Sequence, residues 1–151
     1  MRTVTDILAS KPKTFNIIDP KAKVIDALNM LNTVNLSYLI VMKDGTYRGV
    51  FCERDYSRNV ILKGRSSSDT TVEEVMTVDL PIVQLTDTVE HCMHTMNSYK
   101  TRYLLAYSAD MFAGVITIHD LLRQVIMNRE EVFDNAAAAS LIDREEKGKF
   151  Y

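Results

Sequence analysis

The sequence predicts an α+β fold: one strand–helix–strand–strand–helix unit written twice, with a further helix at the C-terminus. Two observations carry this reading. Phe112-Ala-Gly-Val-Ile-Thr-Ile-His-Asp120 and Tyr47-Arg-Gly-Val-Phe-Cys-Glu-Arg-Asp55 each read as a short apolar strand that breaks into a helix, and each sets an aspartate in the helix's first turn, six residues after a glycine. Both the glycines and the aspartates lie 65 positions apart. The second observation is a count. Residues 24–62 aligned on 89–127 without a gap give ten identities in 39 pairs, where random pairing of ordinary composition would give roughly two or three. Among the ten are Gly49/Gly114, Asp55/Asp120 and Arg58/Arg123, residue types that a hydrophobic core does not ask for. Two copies are too few for a solenoid. The compact solution is a pair of units related by pseudo-two-fold symmetry, with their sheets face to face.

The first unit opens on a short amphipathic turn, Val4 to Leu8, ended by Lys11-Pro12-Lys13. Thr14 to Ile18 reads as a strand, and Asp19-Pro20 as a turn and helix start. Val24, Ala27, Leu28, Leu31 and Val34 fall at helical spacing. Tyr38 to Met42 is a continuous apolar run of strand length. Lys43-Asp44-Gly45-Thr46 is a hairpin signal, since Asp-Gly tolerates the positive φ of a tight turn. Tyr47 to Cys52 is the returning strand, and a helix follows to about Leu62. Gly64 to Asp69 is polar and reads as a linker. Then the pattern restarts: Val72 to Met76 matches Val4 to Leu8, Leu80 to Leu85 is a strand, and Asp87 to Asn97 is a helix with Val89, Met93 and Met96 inward. Tyr103 to Tyr107 and Met111 to Thr117 are paired strands, and Leu121 to Met127 is a helix. In sequence terms the first repeat spans 1–65, the linker 66–71, the second repeat 72–127 and a helical tail 128–151. Four consecutive alanines favour helix in that tail, and Val132, Phe133, Leu141 and Ile142 need cover from their own module or a second chain.

Composition bounds the function. Of 151 residues, 46% are hydrophobic and 25% charged, a globular balance. The net charge of −2, with acids and bases mixed along the chain, gives no pull toward nucleic acid or anionic membrane. No apolar run approaches the roughly 18 residues of a membrane span, and the first residues lack the apolar core of a signal peptide. Cys52 and Cys92 sit in apolar patterns at no metal-ligand spacing. Together these predict a reduced, cytoplasmic protein.

The repeated aspartate supports two readings. In the first it only closes a helix: Thr117-Ile-His-Asp120 is a capping box, with threonine at N-cap and an acid at N3. The first repeat has Cys52 at N-cap, a poor cap, yet keeps Asp55. In the second reading the carboxylate binds a ligand. A carboxylate fixed at a helix start can accept two hydrogen bonds from a vicinal diol such as a ribose, each worth roughly 1.5–3 kcal/mol. Arg54, Arg58 and Arg123 on the same helices, and Lys100 and Arg102 before a strand, could meet phosphates; each could equally be a solvated surface charge.

The doubled Gly-apolar-x-(Ser/Thr)-x-x-Asp signature in this repeat resembles paired CBS domains, the Bateman module. Glu53-Arg-Asp-Tyr-Ser-Arg and Ile61-Leu-Lys-Gly-Arg-Ser-Ser are similar to the small stand-alone bacterial members. The resemblance runs from about Val4 to Met127. It implies a non-catalytic regulatory module that binds an adenosine-containing ligand (AMP, ADP, ATP, NAD or S-adenosylmethionine) in clefts between the two repeats. It implies that one cleft uses Thr117 and Asp120 on the ribose, with Phe15, Asn16, Ile17, Ser37 and Tyr38 around the base. The other would use Cys52 and Asp55, with Leu80, Pro81, Ile82, Arg102 and Tyr103. Arg54, Arg58, Arg102, Arg123, His119, Ser66 and Ser67 would meet phosphates. The resemblance also implies a homodimer, with an unidentified protein as possible partner. The sequence departs from the family pattern at Cys52, which replaces the usual hydroxyl, at His119, and at Ile40-Val41 and Leu105-Ala106, which replace Pro-Val. With its complete Thr-and-Asp pair, the Asp120 cleft is expected to bind better than the Asp55 cleft.

His91 and His94 beside Cys92 lack a third ligand at metal spacing, so no metal is expected. Cys52 has no histidine–acid partner in sequence. The eight methionines read as core filler. Phosphate-loop and dinucleotide glycine patterns are absent, and Lys63-Gly64-Arg65 is too short a basic run to argue for nucleic acid. With no nucleophile–base–orienter set, an enzyme is not expected. The alternative to a nucleotide sensor is a structural or partner-docking module with degenerate, empty clefts.

Overall fold

The computed structural model describes residues 2–12, 16–34, 36–127 and 135–146. The chain divides into two compact units, Lys13–Asp79 and a second made of Met1–Pro12 together with Leu80–Tyr151. The units are therefore offset from the repeats as spelled in sequence. The segment that opens each repeat packs in a unit with the strands of the other repeat.

The Lys13–Asp79 unit holds a three-stranded sheet of β1 (Ile17–Ile18), β2 (Tyr38–Lys43) and β3 (Thr46–Cys52), with β1 parallel and β3 antiparallel to β2. Asp44 and Gly45 both take positive φ, 51° and 76°, as the Asp-Gly signal requires of the β2–β3 turn. α2 (Val24–Val34) covers one face of the sheet, burying Val24, Ala27 and Leu31 against Leu39, Val41 and Phe51. The alternation of β2 and β3 turns Tyr38, Val50 and Cys52 to the opposite face. The polar stretch read as a linker is tied down: the carbonyls of Ser67 and Thr70 accept from the N–H groups of Ile25 and Val24. They thus satisfy donors that the start of α2 would otherwise leave open. After β3 the chain enters α3 (Glu53–Tyr56) and then widens into a π turn over Ser57–Ile61. That turn buries Val60 and brings the Asn59 amide to donate to the Val75 carbonyl at 3.1 Å. A 3-10 turn at Val72–Glu74 follows, with Val72 and Val75 in the core.

The other unit repeats the plan. β4 (Ile82–Gln84) runs parallel to β5 (Tyr103–Ser108), which pairs antiparallel with β6 (Met111–Thr117). Both hairpins carry a register shift at equivalent places, Val41/Met42 and Ala106/Tyr107. α4 (Val89–Tyr99) buries Val89, Cys92, Met93 and Met96. α5 (Ile118–Met127) is a regular helix where its counterpart holds the π turn. α1 (Val4–Ser10) contributes Val4 and Ile7 to this core. The tail is helical as expected, as α6 (Asn135–Glu146), and packs on its own unit: Ala137, Ala138 and Leu141 are buried beside Met93 and Met96. The Arg144 guanidinium donates to the Asn97 carbonyl at the end of α4 at 3.1 Å. Val132 and Phe133 lie outside the described residues.

Candidate functional site

Each repeated aspartate sits where a buried strand gives way to a helix. Asp55 is 6% exposed and Asp120 4% exposed. Both close their helices. Asp120 Oδ2 accepts from the Thr117 N–H at 2.8 Å, and the Thr117 hydroxyl accepts from the Asp120 N–H at 3.2 Å. In the first repeat the cysteine caps after all. The Cys52 N–H donates to Asp55 Oδ2 at 2.9 Å, its thiol donates to the same oxygen at 3.3 Å, and its sulfur takes the hydroxyl's place in the box.

The remaining partners separate the two sites. Asp55 Oδ1 accepts from the Thr77 hydroxyl at 2.6 Å. Thr77 is held there by a two-way backbone bridge with Val50, at 2.9 and 2.8 Å. Asp120 Oδ2 instead lies 2.9 Å from the Lys11 ammonium, which also donates to the Val115 carbonyl at 2.8 Å. Arg123 reaches Asp120 Oδ1 at 3.4 Å. Val50 and Val115 are equivalent in the repeat, so one carbonyl position is met by a backbone amide in one unit and by an ammonium in the other. The repeated glycines now have a cause. A Cβ at Gly49 would lie 2.7 Å from Met76 Sδ and 2.9 Å from the Thr77 carbonyl oxygen; one at Gly114 would lie 3.0 Å from Leu8 Cδ2.

Electrostatics follow the partners. Burial raises the pKa of Asp55, against the hydrogen bonds from Thr77 and Cys52. Burial, with the neighbouring Asp55 charge, pushes the Cys52 thiol up to about 12. Cys92 is likewise pushed up to about 12, by burial first. Near neutral pH both are thiols, not thiolates, and the nucleophile is the thiolate.

The other residues singled out from sequence fall into three groups. Ile17 and Ile82 stand 49% and 55% exposed at equivalent places in β1 and β4. Beside them the Asn16 and Pro81 carbonyls accept from Ile40 and Leu105 N–H. Asn16, Tyr38 and Tyr103 are buried, Leu80 and Pro81 half-buried and Ser37 exposed, while Phe15 lies outside the described residues. Of the expected phosphate residues, Arg58, Ser66, His119 and Arg123 are exposed and Arg54, Ser67 and Arg102 half-buried. Ser66 pairs hydroxyl to hydroxyl with Ser68 at 2.8 Å, and Arg123 is engaged by Asp120. His91 and His94 each face an acid four residues earlier, Asp87 just before α4 at 3.8 Å and Glu90 within it at 3.9 Å. Among the described residues no group of three or more His, Cys, Asp or Glu gathers to hold a metal ion. Nor is any helix among them long and apolar enough to cross a membrane. A surface cleft of about 480 Å³ lies elsewhere, lined by Lys100, Ser140, Asp143 and Arg144.

Thr77 and Lys11 escaped sequence reasoning. Neither belongs to a motif, and Lys11 meets Val115 across 104 residues of chain. The fold and the sequence are matched outside this chain. A family model described as "CBS domain" matches residues 72–127. The solved structure of a CBS-domain protein from Burkholderia ambifaria MC40-6 is 30% identical, covers 86% of this chain and 98% of its own, and superposes with a TM-score of 0.76. The chain belongs to the CBS-domain family. This CBS-domain protein is also 28% identical over 138 residues to the mitochondrial CBS domain-containing protein CBSX3 of Arabidopsis thaliana, covering 85% of the chain and 67% of CBSX3. The structure of CBSX2 in complex with AMP shares its fold at 22% identity and a TM-score of 0.68, covering 85% and 99% of the two chains. CBS-domain proteins are regulatory modules, generally without catalysis.

Proposed function

We propose that this chain is a non-catalytic sensor that binds an adenosine-containing ligand (AMP, ADP, ATP, NAD or S-adenosylmethionine) and signals by a change of conformation or of partner. The observation that carries the reading is the pair of buried aspartates, each fixed by its own capping box at an equivalent strand-to-helix junction. A carboxylate so oriented has lone pairs suited to a ribose diol. Asp55 with Cys52, and Asp120 with Thr117, take the ribose in this reading. Ile17 and Ile82, apolar yet exposed, offer surface for an adenine, with Asn16, Ser37, Tyr38, Leu80, Pro81 and Tyr103 around them. Arg54, Arg58, Arg102, His119, Ser66 and Ser67 are the candidates for phosphate. The AMP complex of CBSX2 supports an adenylate as the first ligand to try. One observation favours the second reading, a docking module with empty sites: both carboxylates already have partners from their own chain, Thr77 and Lys11.

Thermal and chemical unfolding with each of the five ligands separates the two. A binder at a hundred times its Kd gains about 2.7 kcal/mol, and a scaffold gains nothing. If the gain survives both Asp55→Ala and Asp120→Ala, the ribose assignment is wrong even though the ligand binds.

The proposal includes a homodimer. Ile61, Leu62, Ile126 and Met127 are exposed large hydrophobics at matching ends of the repeated helices, the kind of surface that marks association. Light scattering should give twice the chain mass, and Leu62→Glu with Met127→Glu should halve it. A wild-type mass of one chain would remove this part of the proposal.

A further inference from the structure

We infer that Lys11 is an internal occupant of the Asp120 site, and that a sugar diol can engage both oxygens of that carboxylate only after the Lys11 ammonium has left. This rests on the ligand reading above and adds a gate to one of its two sites. A carboxylate offers about two acceptor positions on each oxygen. On Asp120 Oδ2 both are taken, one by the Thr117 N–H at 2.8 Å and one by Lys11 at 2.9 Å. The first is part of the helix cap and stays. A vicinal diol that donates to both oxygens therefore competes with Lys11 for the remaining position.

The lysine is placed for this role by the fold. It follows α1, whose Val4 and Ile7 are buried in the core of the same unit, and whose backbone is tied to Asp87 and Leu85 through the N–H groups of Val4 and Thr5. The anchor is thus independent of the ammonium, which can swing away on its four-carbon stem. Its side chain is 19% exposed, so water lies close to the path. When it leaves, the Val115 carbonyl loses the same donor, and the end of α1 is released from β6 and α5. Occupancy of the Asp120 site is thereby reported on the N-terminal segment.

The Asp55 site has no such gate. Besides the Cys52 N–H, which belongs to the cap, and the nearby charge of Arg58, its oxygens meet a hydroxyl and a thiol. Both are neutral and both rotate about a single bond, so a ribose hydroxyl replaces like with like. The Asp55 site should fill first, and the Asp120 site at higher ligand concentration, the reverse of the order expected from the Thr117 and Asp120 pair alone, because Lys11 holds Asp120.

Calorimetric titration of the full chain with AMP tests this in an Asp55→Ala background, which leaves the Asp120 site to be read alone. Lys11→Met is expected to tighten AMP at least tenfold, Lys11→Arg to leave the affinity near that of the background, and the gain from Lys11→Met to vanish with 2′-deoxy-AMP. Unchanged or weaker AMP binding in Lys11→Met overturns the gate, as does an equal gain with the deoxy nucleotide. If the wild-type chain binds none of the adenosyl ligands, the ligand reading fails and takes the gate with it. If the wild type binds and only the gain is missing, the gate alone fails. Should Lys11→Met not fold, reductive methylation of wild-type Lys11, followed by mass spectrometry, decides the question. Saturating AMP should speed its labelling several-fold. Slower or unchanged labelling would overturn the inference, slower labelling marking Lys11 as a phosphate contact instead.

Discussion

Gly49→Ala is expected to lower stability by about 2–3 kcal/mol, the range for forcing atoms into a packed region, while the equivalent Gly114→Ala changes it by less than about 1 kcal/mol. Neither glycine has a positive φ, so the cost comes from what the methyl meets. At position 49 it meets Met76 Sδ at 2.7 Å and the Thr77 carbonyl oxygen at 2.9 Å. The sulfur can move aside, as thioethers readily do. The carbonyl cannot, because Val50 N–H is bonded to it at 2.9 Å and the Thr77 N–H returns to Val50 at 2.8 Å. Making room breaks that bridge and draws the Thr77 hydroxyl off Asp55. At position 114 the methyl meets only the Leu8 side chain, Cδ2 at 3.0 Å and Cδ1 at 3.8 Å. That is the tip of a partly buried side chain, and a rotamer change relieves it. Alanine also narrows the unfolded ensemble, which offsets part of any loss. Urea unfolding of the two variants reads the difference. Equal losses would mean that the opening segments are not what the repeated glycines make room for.

Features set by local chemistry were legible in the residues alone. Periodicity located the body of α2, because five apolar positions at helical spacing leave one face to bury, and the core it enters contains them; Asp19-Pro20, read as a turn and helix start, leads only into a turn, and the helix begins at Val24. The Asp44-Gly45 turn was equally legible, since its chemistry is local. The repeat predicted two equivalent helix starts, and both aspartates are found there. What local chemistry could not carry were the groups that meet those aspartates. Thr77 and Lys11 arrive from segments that open one repeat and pack with the strands of the other, and no spacing rule encodes such a partner. The π turn at Ser57–Ile61 was missed for a similar reason. The apolar spacing there fits an ordinary helix, and the wide turn shows in backbone bonds such as the i+5 bond from Leu62 N–H to the Ser57 carbonyl. The cysteine at the first N-cap misled in the opposite direction. By propensity it is a poor cap, yet its geometry reproduces the threonine box with sulfur in place of oxygen.

Asp120→Asn is expected to cost about 2–4 kcal/mol and Asp55→Asn to stay within about 1 kcal/mol of wild type, because only the first removes the charge from a buried ion pair. Lys11 is mostly buried against Asp120. An asparagine there would still accept from the Thr117 N–H, but it would leave the ammonium without a counter-charge. Arg123 adds little to the difference, since its exposed guanidinium is screened by water. At Asp55 the neutral amide is a good substitute: its oxygen accepts from the Cys52 N–H, its NH2 donates, and the Thr77 hydroxyl turns to accept. The charge itself is a burden at this site, because burial raises the Asp55 pKa above its ordinary 3.8. A folded-state acid that holds its proton more tightly than the unfolded chain stabilises the fold at low pH. That contribution is lost as pH rises from the unfolded value through the folded one. Asp55→Asn removes this dependence. Its Tm relative to wild type should therefore climb between about pH 3.8 and neutrality, the window that opens at the ordinary carboxylate value. A relative Tm that falls over that interval would show the Asp55 carboxylate to be better solvated than its burial implies. Equal losses in the two asparagine variants would show that Lys11 contributes nothing at Asp120.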